Sequence, residues 1–158
     1  MFFIQPVCLN TSPVLSAFLA EHWGGHTIVS RGRIHKTDAL FGFAAMQGED
    51  LLGLVTYDIR DGACEIVTLD SVAENRGVGT ALLSAVADHA KAQGCSRLWL
   101  ITTNDNTRAI RFYQKRGFTM AALHVNAIAE SRRLKPQIPL VGFDNIPILH
   151  EIEFEKML

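Results

Sequence analysis

A glycine-flanked turn, Arg76-Gly77-Val78-Gly79-Thr80, opens a long stretch of helical periodicity. Its two glycines let backbone approach a ligand closely, and the first N–H groups of a helix have no partner within it. The positive end of the helix dipole lies at the same place, so the turn is suited to an anion, and a diphosphate is the expected one. Arg76 adds charge and Thr80 a hydroxyl. The turn is not a P-loop, because no Gly-Lys-Ser/Thr follows. It is a poor dinucleotide fingerprint as well, since Leu82 stands where the third glycine belongs.

Two more groups of residues have chemistry in them. Glu65 sits in Cys64-Glu65-Ile66-Val67-Thr68-Leu69, the strand that runs toward the glycine turn. Alternation puts Glu65 on one face with Val67 and Leu69, and turns Asp70 to the other. A carboxylate among apolar neighbours suits a general base; the same pattern also suits a solvated sheet face or a structural ion pair. The third group is Asn106-x-x-Ala109-x-x-Phe112-Tyr113-x-x-x-Gly117-Phe118. Asn106 and Tyr113 are about two helical turns apart and face the same way, with small Ala109 between them. An N-cap and a core tyrosine would give the same spacing.

The elements that must position these residues follow from periodicity. Strands are expected near 2–7, 27–30, 42–47, 51–59, 63–69, 97–102, 118–125 and 150–154. Asp61-Gly62 is a hairpin signal that sets 63–69 antiparallel to 51–59. Thr11-Ser12-Pro13 starts a helix that Gly24-Gly25 ends. Val78, Leu82, Ala85 and Val86 form one face of a helix over 78–93, so strand, helix and strand make a right-handed crossover with 63–69 and 97–102 parallel. Asn104 or Asn106 caps the next helix, which stops at Gly117. His22, Trp23 and His26 cluster at the end of the first helix, where they form either a pocket wall or a capped helix end. Arg31, Arg33, His35 and Lys36 read as a solvated basic loop. Pro136, Pro139 and Pro147 argue against regular structure through most of 126–149. The expectation is one α+β domain over 1–158. Its mixed, twisted sheet of six or seven strands is flanked by helices, with a cleft where strands 63–69 and 97–102 splay apart.

Composition sets the bounds. The 158 residues carry 15 basic and 16 acidic side chains, a net charge of −1, which gives nucleic-acid binding no support. The three cysteines lack metal or disulfide spacing, so no metal is expected. No leader is evident, and no apolar run approaches the ~20 residues of a membrane helix, so a cytoplasmic protein with no membrane partner is expected.

Together the motifs resemble the GNAT superfamily of acetyl-coenzyme A-dependent N-acetyltransferases. Gly77 and Gly79 match its Gln/Arg-x-x-Gly-x-Gly/Ala turn, while Asn106, Ala109, Tyr113, Gly117 and Phe118 match its second segment. Glu74 departs from the usual Gln or Arg, and Ser71 from a common proline. The resemblance implies acetyl-CoA as cosubstrate and a primary amine as acceptor, on a small molecule or a peptide. Backbone from Arg76 through Gly77, Val78 and Gly79 to Thr80 would cradle the pyrophosphate. Leu69 would pair with the pantetheine arm, Asn106 would hold it from the other side, and Tyr113 would protonate the leaving thiolate. Glu65 would be the base, as in the similar AEIV stretch of the histone-acetylating branch. Four residues of strand, about 13 Å, separate Glu65 from Leu69, so Glu65 would act through water. Asp70, if a bulge turned it, and His124 stand in reserve. The acceptor would be shaped by 20–40 and 126–149, and a homodimer is an assembly such irregular C-terminal segments allow. The competing reading is a non-catalytic acyl-CoA-binding regulatory domain.

Overall fold

The structure, a computed structural model, describes residues 1–73 and 76–158; Glu74, the departure noted above, lies outside the described residues. Among the described residues the chain forms β1 (Phe3–Cys8), α1 (Pro13–Trp23), β2 (Thr27–Ser30), β3 (Arg33–Lys36), β4 (Phe41–Gln47), β5 (Asp50–Arg60) and β6 (Ala63–Ser71). There follow α2 (Val78–Ala92), β7 (Arg97–Thr103), α3 (Thr107–Lys115), β8 (Thr119–His124), α4 (Ala127–Leu134) and β9 (Glu151–Met157). Seven strands make one mixed sheet in the order β1-β4-β5-β6-β7-β9-β8, and β2 and β3 pair as a separate hairpin. This is the expected α+β architecture.

Local chemistry explains most boundaries. Ser12 caps α1 by accepting from the Leu15 N–H, Pro13 occupies its first turn, and Gly24 ends it at φ 71°. Asp61 and Gly62 take φ 52° and 75°, the left-handed pair that a tight β5–β6 hairpin needs. α2 then crosses over one face of the sheet, burying Val78, Leu82, Leu83, Val86 and Ala90 against Cys64, Ile66, Leu98, Leu100 and Phe154. α1 covers the opposite face with Leu15 and Leu19 on Ala44 and Leu54.

Two features open the centre of the sheet. β6 and β7 are parallel and pair only from Ala63–Ile66 to Arg97–Leu100. Beyond Ile66 they part, which is the expected cleft. β6 also contains a bulge. Thr68 faces Thr56 and Ile66 faces Tyr57, so Val67 has no partner on β5. An extra residue reverses the alternation that follows it. Leu69 therefore packs with the α2-side core, while Val67 packs with Ile28, Leu40 and Trp23 on the other face. This corrects the expectation that Glu65, Val67 and Leu69 share a face. Asp70, expected on the far side, instead bonds to Trp23 of α1. The buried hydroxyls of Thr56 and Thr68 meet at 2.6 Å and satisfy each other beside the bulge.

Two further expectations are corrected. The basic run 31–36 is largely a strand, because His35 is buried and holds β3 against the sheet. Residues 127–134 form α4, since all three prolines of that stretch lie beyond it. β9 inserts between β7 and β8, antiparallel to both. No described helix is long and apolar enough to cross a membrane.

Candidate active site

Three cavities lie around the split in the sheet, and the second and third share lining residues. The first, about 570 Å³, lies at the N-terminus of α2 and is lined by Gly77 to Thr80 and by α3. Gly77 is the N-cap residue, at φ 77°, and among the described residues no side chain caps the helix. The leading N–H groups of α2 are thus left for an anion. A Cβ at Gly79 would lie 3.1 Å from the ring of Phe112, close enough that the ring would have to give by a few tenths of an ångström. The two helices meet through that contact.

The charge of this cavity comes from α3 and its C-cap. Arg108, Arg111, Lys115 and Arg116 all line it. Arg116 donates to Thr80 Oγ1 at 2.8 Å and lies 3.6 Å over the Phe112 ring. Sequence reading missed these cations, although their i, i+3, i+7, i+8 spacing puts them on one helix face. Arg76, the expected source of charge, instead donates to Gln47 Oε1 at 2.9 Å and is not in the lining.

The second cavity, about 300 Å³, is the cleft itself, and Leu69, Asp70, Asn106, Ala109 and Tyr113 all line it. Asn106 Oδ1 accepts from the Ala109 N–H, so its cap and its place in the cleft are compatible. Tyr113 is buried, with its ring against Phe112, Phe118 and Phe154. Burial, and then the charge of Asp70, push its phenol pKa well above the usual range. Burial also raises the Asp70 carboxyl, partly offset by the 2.8 Å bond from Trp23 Nε1 and by His22. The charge of Asp70 is thus felt by Tyr113 within the cleft.

The third cavity, about 510 Å³, lies under α1, β2 and α4 and shares Trp23, Val67, Ile101, Thr102 and Asn106 with the cleft. The stretches 20–40 and 126–149 supply much of its lining, and β6, β7, Asn106 and Glu151 the rest. Glu65 lines this cavity and not the cleft. It is 3% exposed, and His35 Nε2 lies 3.1 Å from its Oε1, out of line for an N–H···O bond. Behind His35 stands Asp58 at 3.8 Å, itself paired with Arg33 at 3.0 Å. Lys135 donates at 2.6 Å to the carbonyls of Trp23 and Thr27, and burial lowers its pKa. His124, on the edge strand β8, lines none of these cavities; its Nε2 is 3.0 Å from Glu153 on the neighbouring β9.

The arrangement is an anion cradle, a narrow cleft with a phenol and a carboxyl, and an apolar chamber behind it. The chain is 47% identical over 146 residues to the uncharacterized protein YdhI of Bacillus subtilis (strain 168), covering 92% of this chain and 91% of that one. It is 41% identical over 156 residues to the uncharacterized protein YxbD of the same organism, covering 98% of each. A GNAT family acetyltransferase from Elizabethkingia anophelis, solved with acetyl-CoA bound, shares the fold with a TM-score of 0.75 at 19% identity, over 99% of this chain and 98% of that one. The family model described as the acetyltransferase (GNAT) family matches residues 13–118, a stretch that spans the cradle, the cleft and most of the sheet, and the chain belongs to that family.

Proposed function

We propose that this protein moves the acetyl group of acetyl-CoA to a primary amine. The observation that carries the reading is the cleft: Leu69, Asp70, Asn106 and Tyr113 line one cavity that shares residues with the chamber, and α3 contributes both to it and to the cradle. The residues fit the cosubstrate. Backbone from Arg76 to Thr80 holds the pyrophosphate at an uncapped helix start, and the α3 cations balance the phosphates. Leu69 and Asn106 flank the pantetheine arm.

The chemistry is acyl transfer to nitrogen. An alkylamine has a pKa near 10.4, so presenting it neutral at pH 7 costs about 4.6 kcal/mol. Glu65, on the chamber wall, receives the ammonium and draws off its proton through water. The free amine attacks the thioester carbon, and Asp70 takes the second proton from the tetrahedral adduct. The adduct collapses, the C–S bond breaks, and Tyr113 protonates the departing sulfur. Asp70 returns its proton to Tyr113, so one proton in all is released to solvent. Asp70 and Tyr113 both line the cleft, and Glu65 does not, which favours Asp70 for the direct step. A domain that only bound acyl-CoA would have no use for a buried phenol facing a buried carboxyl.

Release of coenzyme A in the presence of a panel of primary amines tests the reading. Turnover of acetyl-CoA that depends on amine and falls in Tyr113→Phe and Asp70→Asn is the expected result. Tight acetyl-CoA binding with no amine-dependent release from any of them would leave a binding domain.

A further inference from the structure

The chamber under α1 and α4 is a partly open cavity of about 510 Å³ with walls of Ile28, Val67, Ile101, Ile128 and Ile148. That is the size of a small-molecule site, not of a groove that holds a polypeptide. Its polar groups are unevenly served. Lys135 is well satisfied by its two short bonds to carbonyls. Ser30 and Glu151 are not. Ser30 is 6% exposed, and among the described residues its Oγ has no hydrogen-bond partner. Glu151 is 2% exposed, and among the described residues its side-chain partners belong to one residue, Arg31: the backbone N–H at 3.3 Å and the guanidinium at 3.4 Å. Charge-assisted bonds normally close to about 2.7–2.9 Å, so a buried carboxylate here is held loosely, by a side chain that is itself 41% exposed.

The two under-served groups are neighbours. The Arg31 N–H that reaches Glu151 belongs to the peptide bond following Ser30. Both groups line the same cavity, on the side away from the cleft. Both accept hydrogen bonds, and one is a buried carboxylate beside apolar walls, where an uncompensated charge is costly. A donor that is also a cation answers both. The register gives its distance from the reacting end. Ile101 lines both cleft and chamber; Thr103 is two residues further along β7, and Glu151 is its partner on β9. Two residues along and one strand across is about 8 Å.

Resting on the transfer reading above, we infer that the acceptor is a small, apolar-bodied diamine, whose distal ammonium is held by Ser30 and Glu151 while its other amine is acetylated. The chamber wall between the two ends is hydrocarbon, so the spacer is an alkyl or similarly apolar chain.

Calorimetric titration, with and without saturating coenzyme A, compares hexane-1,6-diamine with hexylamine and with 6-aminohexanoate. The diamine should bind at least tenfold tighter than the monoamine. Glu151→Gln should bring that ratio near one, and Ser30→Ala should reduce it severalfold. Arg31→Ala removes the same tie to the β2–β3 turn but leaves the carboxylate, so it should preserve or increase the ratio. Circular dichroism confirms that each variant folds, and the wild-type comparison stands without them. Equal affinity for diamine and monoamine overturns the inference. So does preference for 6-aminohexanoate, which would assign an anion to Lys135 or Arg31, and so does a diamine preference that survives Glu151→Gln. If coenzyme A fails to bind while the diamine preference persists, the transfer reading falls and the ammonium subsite stands.

Discussion

Tyr113 and Asp70 are each shifted by burial, in directions that matter for rate. A phenol held protonated is a weak donor, and in the proposed mechanism it gives its proton only as the sulfur becomes a thiolate. Tyr113→Phe should lower kcat by about 10²-fold, the low end for a general acid, and leave acetyl-CoA affinity within twofold. Steady-state kinetics beside equilibrium binding separates the two effects. For Asp70 the sign is that of a carboxyl raised in the folded state. Between its ordinary pKa and its raised one, the native chain binds more protons than the unfolded chain. Its stabilising contribution is complete below the ordinary value and is lost as pH rises through the raised one. Asp70→Asn keeps an acceptor for Trp23 Nε1 and removes that loss. The variant should therefore melt higher than wild type at pH 7–8, and the two should converge at pH 3–4. The same variant should lose most of its turnover, and thermal melts with initial rates over one pH series check both. Sequence reading placed Tyr113 in the cleft and kept Asp70 in reserve. It did not find His35, because nothing in Arg31-Gly32-Arg33-Ile34-His35-Lys36 says which cation turns inward.

At the scale of elements, what was legible is what local chemistry dictates. The hairpin at Asp61-Gly62, the α2 face and the caps of α1 and α3 are written in neighbouring residues, and all appear. The bulge at Val67 is not. A run such as Ile66-Val67-Thr68-Leu69 suits regular alternation and a bulge equally, and only the partner strand decides. That one extra residue turns Asp70 into the cleft. β3 and α4 were missed for similar reasons: a four-residue strand with three basic side chains looks like a loop, and prolines beyond a short helix look like a veto on it. The junction of α2 and α3 carries its own prediction. A Cβ at position 79 meets the Phe112 ring at 3.1 and 3.2 Å, so Gly79→Val must displace Phe112 and with it the stacked Arg116. It also covers the N–H groups at the helix start. Acetyl-CoA affinity should fall at least a hundredfold by calorimetry, while α2 remains folded by circular dichroism. Gly79→Ala, one carbon rather than three, should lose much less.

The whole molecule depends on a strand that arrives last. β9 fills the space between β7 and β8, so the strand nearest the C-terminal end of the chain lies inside the sheet while β1 and β8 form its edges. Sequence alternation marks His150 to Phe154 as a strand but carries no record of where it inserts, since that choice depends on which two edges are left unpaired when the rest has formed. The consequence for function is direct. β9 brings Glu151 to the chamber at one end and Phe154 to the core at the other, where the Phe154 ring packs against Tyr113. One strand thus supports both the chamber and Tyr113, the proposed acceptor side and the proposed acid. Phe154 is fully buried, whereas Phe3 on the edge strand β1 is half exposed. Truncating a buried phenylalanine costs about 3–5 kcal/mol, and a half-exposed one on an edge costs within about 1 kcal/mol. Phe154→Ala should therefore shift the urea midpoint far more than Phe3→Ala, with similar m-values in both. Because the lost ring also supports Tyr113, Phe154→Ala should lower kcat even where the variant is fully folded, and Phe3→Ala should not. Equal effects of the two substitutions on the midpoint would mean that β9 adds to a sheet already stable without it.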